Sequence, residues 1–326
     1  MDAIEIQPEY SVLKEDDLLE KIVPLFNISD VQNCKTYYEG ANDSYKIFTS
    51  KENYLLRIYT ASWRQLSEIE FEIEALLHLQ EQGANIAYPI EAINENYIIP
   101  IRAPEGIRYA IMTTFAEGEE FWDGNDETWR QYAKNVADIH NKSDDFVTTK
   151  KRFALDKQHL LYDALHQIRP YLENQHEELD YIESIVTDLS SKFEQLSKKE
   201  FDYGFCHGDF HGGNAHQNGT DMVFFDFDCC GYGYRAYDLA VFKWCAQLNN
   251  AQERWTPFIE EYKKHRSISE ADINAVDLFV AIRHIWLMGF HLNSTKSIGV
   301  FGRDYFNNAI QFLKKCEENL TELRQN

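Results

Sequence analysis

Residues 207–228 read HGDFHGGNAHQNGTDMVFFDFD, placing three histidines, four aspartates and Asn214 within one short stretch. Three chemistries fit such a stretch: a metal-bound hydrolytic centre, a phosphate-transfer centre, or a polar loop between two buried strands. DMVFFDF has the look of a buried strand and ends in Asp226 and Asp228. Two carboxylates two residues apart on a strand share one face. HGDFHGGN follows a second strand-like run, FDYGFC, and its glycines permit tight or left-handed turns. A loop of that kind can point Asp209 and Asn214 at one spot. Carboxylate and amide oxygens are hard donors, suited to Mg2+ rather than to zinc. A carboxylate not used as a ligand can take a proton from an attacking hydroxyl. His207, Asp209 and His211 alternate and so also fit a zinc hydrolase, but zinc leaves Asn214 without a task.

The flanking pattern shows which elements would carry these residues. Residues 12–26 have helical apolar spacing. Thr36–Glu39, Ser44–Thr49 and Tyr54–Tyr59 are β-rich, with the turn cluster GAND between the first two. Residues 62–82 form an amphipathic helix stopped by Gly83, and AYPIEAI, NYIIPI and RYAIMTTF supply three more short strands. From about Trp122 helical patterns take over: Glu127–Lys142, Leu155–Arg169, Leu179–Leu196, Ala236–Leu248, Trp255–Lys264, Ala271–Leu292 and Tyr305–Arg324. The expectation is an α+β fold of two lobes: residues 1–114, antiparallel sheet plus helix, and residues 115–326, mostly helical. A ligand cleft is expected where they meet, near MTTFAEG at 112–118.

The ordered set His207-Gly208-Asp209, His211, Asn214 and Asp226-Phe227-Asp228, followed by GYGYRAYDLAVF with Asp238, resembles the aminoglycoside phosphotransferase and choline kinase superfamily, whose fold is that of the protein kinases. The resemblance implies transfer of the γ-phosphoryl group of ATP to a hydroxyl. Asp209 would deprotonate the acceptor, Asn214 and Asp226 would hold Mg2+, and His207 would brace the loop. It further implies that Arg57, in NYLLRIY, takes the place of the strand lysine that holds the α- and β-phosphates. A surface strand cation is the plainer reading of Arg57. Its partner would be Glu72 on the following helix, with Glu70 and Glu74 as rivals one register step away. EGANDSY stands at the phosphate loop, with Asn42 and Ser44 as contacts, and IMTTFAEGE stands at the adenine hinge, with backbone groups of Thr113 and Phe115 pairing the base.

For the acceptor, residues 279–293 offer Arg283, Trp286 and His291 on a helix that also reads as a buried core helix. That helix resembles the homoserine-kinase-like and stress-response-kinase-like bacterial branch. Homoserine, an aminoglycoside, an amino alcohol and a protein serine or threonine stay open as acceptors. Trp122, Trp244, Trp255 and Tyr262 could build an aromatic cage for a choline-type group. His140 reads as a packing residue, His216 as an exposed turn histidine, and the vicinal Cys229-Cys230 as core. A pseudokinase that binds nucleotide without transfer is the other reading, but Asp209, Asn214 and Asp226 are all present.

Composition sets the bounds. The 326 residues are 44% hydrophobic and 26% charged, enough apolar material for a sizeable core. A formal charge of −22 and the lack of any Lys/Arg-rich run argue against nucleic acid and anionic membrane as partners. The acidic surface fits a cationic substrate and solubility alike. The chain opens with no basic and apolar leader, and no continuous apolar run approaches about 18 residues. Six cysteines without a C-x-x-C fit reduced thiols in the cytoplasm.

Overall fold

A computed structural model describes residues 6–61, 63–196, 200–293 and 303–322. The described chain runs through α1 (Glu15–Lys21), β1 (Val31–Glu39), β2 (Asp43–Thr49), β3 (Asn53–Ile58), α2 (Leu66–Glu81), β4 (Ile99–Ala103) and β5 (Gly106–Thr114). It continues with α3 (Asp126–Lys142), a π turn (Gln158–Tyr162), α4 (Asp163–Ile168), α5 (His176–Phe193), β6 (Tyr203–Cys206), β7 (Ala215–Asn218), β8 (Asp221–Phe224) and β9 (Gly231–Tyr234). The helices α6 (Arg235–Leu248), α7 (Trp255–His265), α8 (Glu270–Asn293) and α9 (Arg303–Glu322) complete it. Two units form. One is Met1–Gly118 with Val147–Arg152 and Val223–Phe225; the other is Glu119–Phe146, Phe153–Met222 and Asp226–Asn326.

The first unit holds an antiparallel sheet in the order β1-β2-β3-β5-β4. Strand alternation decides which side chain goes where. Tyr54, Leu56 and Ile58 enter a core with Leu18, Val23 and Phe26. Leu55 and Arg57 take the opposite face, where Tyr59 and Ile111 pack on Ile69 and Ile73 of α2. Each fully buried aliphatic chain in these layers contributes roughly 1.5–3 kcal/mol. Deep in this unit Arg108, fully buried, donates to Asp43 at 2.5 Å and to the Tyr59 carbonyl at 2.9 Å, and Tyr10 donates to Asp43 at 2.6 Å.

Four sequence expectations need correction in this architecture. The first helix stops at Lys21, because Pro24 favours the short 3-10 turn Val23–Leu25 instead. AYPIEAI is not a strand: Pro89 has no N–H to donate, and Pro89 and Ala92 make only isolated bridges. Leu155–Arg169 is not one helix; the Leu155 N–H is spent on the Tyr232 carbonyl, and a π turn precedes α4. The first unit also runs four residues past 114, since the Phe115 N–H still bonds the Asn53 carbonyl. The expected end at Arg324 and the expected start at Ser62 lie outside the described residues.

In the second unit α6, α4 and α9 pack on α8. Most of α8 is buried, from Asp272 to Leu292. Among the described residues it is the one helix long and apolar enough to cross a membrane, and 72% of its apolar window is buried inside the protein. Gly289 lets α8 approach α4 closely, for a Cβ there would stand 2.6 Å from the Ala164 Cα.

Candidate active site

The loop 207–214 is built by its own backbone and by one aspartate of α6. His207 and Gly208 N–H groups both donate to the Asp238 carboxylate at 2.8 Å. His140 completes that site: Nε2 donates to Asp238 Oδ2 at 3.0 Å, and Nδ1 accepts from the Tyr262 hydroxyl at 2.8 Å. Burial lowers the His140 pKa against the pull of Asp238, which keeps the ring neutral and in that tautomer. His140 is therefore a hydrogen-bonded strut as well as a packing residue. Gly208 has φ +82, and a Cβ on it would lie 2.1 Å from the Cys229 carbonyl oxygen. The H-G-D turn thus rests directly on the D-F-D turn.

Asp209 follows at once. Its N–H donates to His207 Nδ1 at 3.2 Å, and the His207 ring lies 4.4 Å from Phe210 and 4.3 Å from Phe227. The Asp209 carbonyl accepts the His211 N–H at 2.8 Å and Asn214 Nδ2 at 2.9 Å. Its carboxylate has two different neighbours. Oδ1 accepts from Arg283 Nη2, while Oδ2 faces His211 Nε2 at 3.7 Å. Since His211 Nδ1 accepts the Gly213 N–H, the neutral ring carries its proton on Nε2, toward Asp209. Desolvation pushes the Asp209 pKa up, but the Arg283 charge, with His211, His207 and the Asn214 amide, holds it below the usual carboxylate range. The group is a standing carboxylate.

Asp226 departs from the sequence expectation. β8 ends at Phe224, and Asp226 sits in the left-handed region at φ 63, ψ 59, opening the 3-10 turn Phe227–Cys229. Asp226 and Asp228 therefore do not share a strand face, and Asp228 is buried. A non-glycine residue at positive φ costs energy of order 1 kcal/mol and concentrates at functional sites. Asn214 spends Nδ2 on the Asp209 carbonyl, so Oδ1 is the atom with which it could hold a cation. The Asp226 carboxylate is likewise a hard oxygen donor, the kind a magnesium ion takes. Among the described residues no three His, Cys, Asp or Glu side chains are grouped to hold a metal ion.

In the first unit Arg57 Nη1 donates to Glu72 Oε1 at 2.9 Å, and the Tyr59 hydroxyl donates to Glu72 Oε2 at 2.9 Å. Both charges are buried. The rival glutamates point elsewhere: Glu70 pairs with Lys150 at 3.1 Å, and Glu74 accepts from Thr148. Ser44 lies opposite Arg57 in the register, on the same sheet face. Asn42 instead closes the turn, its Oδ1 accepting the Thr60 N–H at 3.3 Å. Thr113 lies opposite Leu55 in the register, one row from Arg57. The Phe115 N–H is bonded to the Asn53 carbonyl at 3.1 Å, and its ring has two neighbours. Lys46 Nζ sits 3.5 Å from that ring centroid, and Tyr37 meets it edge-on at 5.3 Å. Lys46 lies a two-residue step from Ser44 on β2 and so shares its sheet face.

The four aromatic candidates for a choline cage each have a different neighbour. Trp122 stacks on His211, Trp244 faces Arg283, Tyr262 bonds His140, and Trp255 packs on Phe258. Trp286 lies near Arg283, while His291 bonds Tyr305 at 3.4 Å. His216 is buried on β7 rather than exposed in a turn, and the six cysteines are free thiols.

A family model described as the phosphotransferase enzyme family matches residues 39–278, a span that takes in Arg57, Glu72, Asp209, Asn214, Asp226 and Asp238. The chain belongs to the phosphotransferase enzyme family. This phosphotransferase is 31% identical over 287 residues to an uncharacterized protein of Deinococcus radiodurans, covering 86% of this chain and 83% of the relative. An amicoumacin kinase in complex with AMP-PNP, Ca2+ and Ami shares its fold, with TM-score 0.74, 18% identity and 94% coverage of both chains. A choline kinase from Cryptosporidium parvum Iowa II superposes with TM-score 0.67 at 15% identity, over 93% of this chain and 92% of the other. The fold is accordingly the protein-kinase-like one, with a five-stranded antiparallel sheet and a helical second part.

Proposed function

We propose that this phosphotransferase moves the γ-phosphoryl group of ATP to a hydroxyl of a small molecule. The observation that carries the reading is the Asp209 carboxylate, kept ionised and fixed in a loop whose next side-chain amide, Asn214, is a hard-oxygen donor. In phosphoryl transfer little covalent work falls to the protein; it positions groups and stabilises charge. The acceptor oxygen attacks the γ-phosphorus, the bond to the β,γ-bridging oxygen breaks, and its electron pair leaves with ADP. The acceptor's proton passes to Asp209 and from there to water. Asn214 and Asp226 would hold Mg2+, which when bound neutralises charge on the phosphate oxygens. Arg57 would clamp the α- and β-phosphates, kept in orientation by Glu72. Ser44 and Thr113 share its sheet face, and the Phe115 ring with Lys46 would border the base.

Nucleotide use is supported by the amicoumacin kinase that carries AMP-PNP and Ca2+. Homoserine, an amino alcohol or an aminoglycoside is the acceptor class we favour, because proteins of this fold include kinases named for amicoumacin and choline. The test is ADP release from ATP and Mg2+ across homoserine, choline, ethanolamine, methylthioribose and several aminoglycosides, with Asp209→Asn as control. Turnover that survives in Asp209→Asn would refute the assignment.

A further inference from the structure

Arg283 lies outside the span matched to the family, so membership gives it no role. Its place is nonetheless closely specified. It is 2% exposed, donates through Nη2 to Asp209 Oδ1, and donates through Nη1 to the Gly208 carbonyl at 3.3 Å. Its Cζ stands 4.5 Å from the Trp286 ring centroid and 5.3 Å from that of Trp244. Each indole is tied down in turn. Trp286 Nε1 donates to His159 Nε2 at 3.2 Å, and His159 stacks on Phe153 at 4.0 Å. Trp244 Nε1 donates to His284 Nδ1 at 3.1 Å, and His284 stacks on Phe312 at 4.3 Å. His159 belongs to the π turn, a rare widening that recurs at functional places in helices.

A buried guanidinium is costly unless its charge and its N–H groups are met. Here one carboxylate oxygen, one carbonyl and two anchored indoles meet its charge and its two terminal nitrogens, while Nε, also buried, has no acceptor. Structural stability alone does not require the charge to fall on Asp209, the one carboxylate of the H-G-D turn. We propose that Arg283 is the positioning residue of phosphoryl transfer: by occupying Oδ1 it leaves Oδ2, beside His211, as the atom that takes the acceptor's proton. The inference rests on the function proposed above. The bond made is acceptor oxygen to phosphorus, the bond broken is phosphorus to bridging oxygen, and the proton moves to Oδ2 alone.

The experiment measures ADP release from ATP and Mg2+, with water as the sole acceptor and with whichever panel compound supports turnover, for Arg283→Met, Arg283→Lys, Asp209→Asn and the double variant Asp209→Asn/Arg283→Met. Arg283→Met should lower kcat by about 100-fold while KM for ATP stays within about twofold, the scale of loss for a misplaced reacting group. Arg283→Lys should recover part of the rate, as a charge without the fork. In the double variant the second substitution should cost nothing further. Wild-type turnover in Asp209→Asn would overturn the function assigned. A dead Asp209→Asn beside an Arg283→Met or Arg283→Lys enzyme with wild-type kcat would overturn the positioning role and leave that function standing.

Discussion

Both oxygens of Asp238 end on the backbone of the H-G-D turn, Oδ1 on the Gly208 N–H and Oδ2 on the His207 N–H, each at 2.8 Å. A carboxylate on a helix thereby fixes the conformation of a loop thirty residues earlier in the chain. Three groups converge on it, counting His140.

Asp238→Asn should lower kcat at least tenfold with KM for ATP little changed. An amide offers one acceptor oxygen where two N–H groups and a histidine now converge, and a lost bond to a charged group costs about 1.5–3 kcal/mol. Steady-state kinetics beside thermal unfolding checks this; equal rates in variant and parent would refute it.

Glu72→Gln should weaken ATP binding and destabilise the protein together. Arg57 is 8% exposed and would keep its charge against a neutral partner, and breaking a buried pair costs about 3–5 kcal/mol. Glu70→Gln serves as the comparison, since its pair with Lys150 is about one-third exposed and such pairs contribute roughly 0–1 kcal/mol. Calorimetric titration with ATP should separate the two variants clearly.

Gly208→Ala should be among the most damaging single-methyl changes in the chain. The added Cβ would stand 2.1 Å from the Cys229 oxygen at φ +82. Overpacking alone costs about 1–3 kcal/mol. Urea unfolding should show at least that loss, and activity should fall further than stability does.

Acid should destabilise the protein through buried histidines. Burial lowers the His284 pKa from 6.5 to about 4, and the ring accepts from Trp244 only when Nδ1 is bare. Below pH 6.5 the unfolded chain binds a proton that the folded His284 refuses until about pH 4, so stability declines across that window. At roughly 1.4 kcal/mol for each pH unit, this one residue accounts for about 3 kcal/mol. His284→Asn should flatten the slope between those pH values, as followed by urea unfolding at each pH.

Much of the fold was legible in the sequence because its signals are local. β-rich composition around Arg57 and the apolar helical stripe around Glu72 made β3 and α2 readable, whereas the pairing of these two residues was implied by the family resemblance, with Glu70 and Glu74 left as rivals. The glycines of 207–214 likewise announced a tight loop. Illegible features arise where distant segments compete for one backbone group. Nothing near Phe115 says that its N–H is bonded to Asn53, nor does DMVFFDF reveal that the strand stops at Phe224 and Asp226 turns left-handed. Arg283 follows the same rule. Its helix reads as a core helix, and only the tertiary fold brings its guanidinium to Asp209.

The contact between Gly208 and the Cys229 carbonyl has a consequence for divergence within such enzymes. With no spare ångström between the two turns, drift in one must be matched in the other, and the turn that carries Asp209 and the turn that carries Asp226 form a single casting. Novelty in what this protein modifies must then accumulate in the surrounding helices, where sequence can wander without moving that casting.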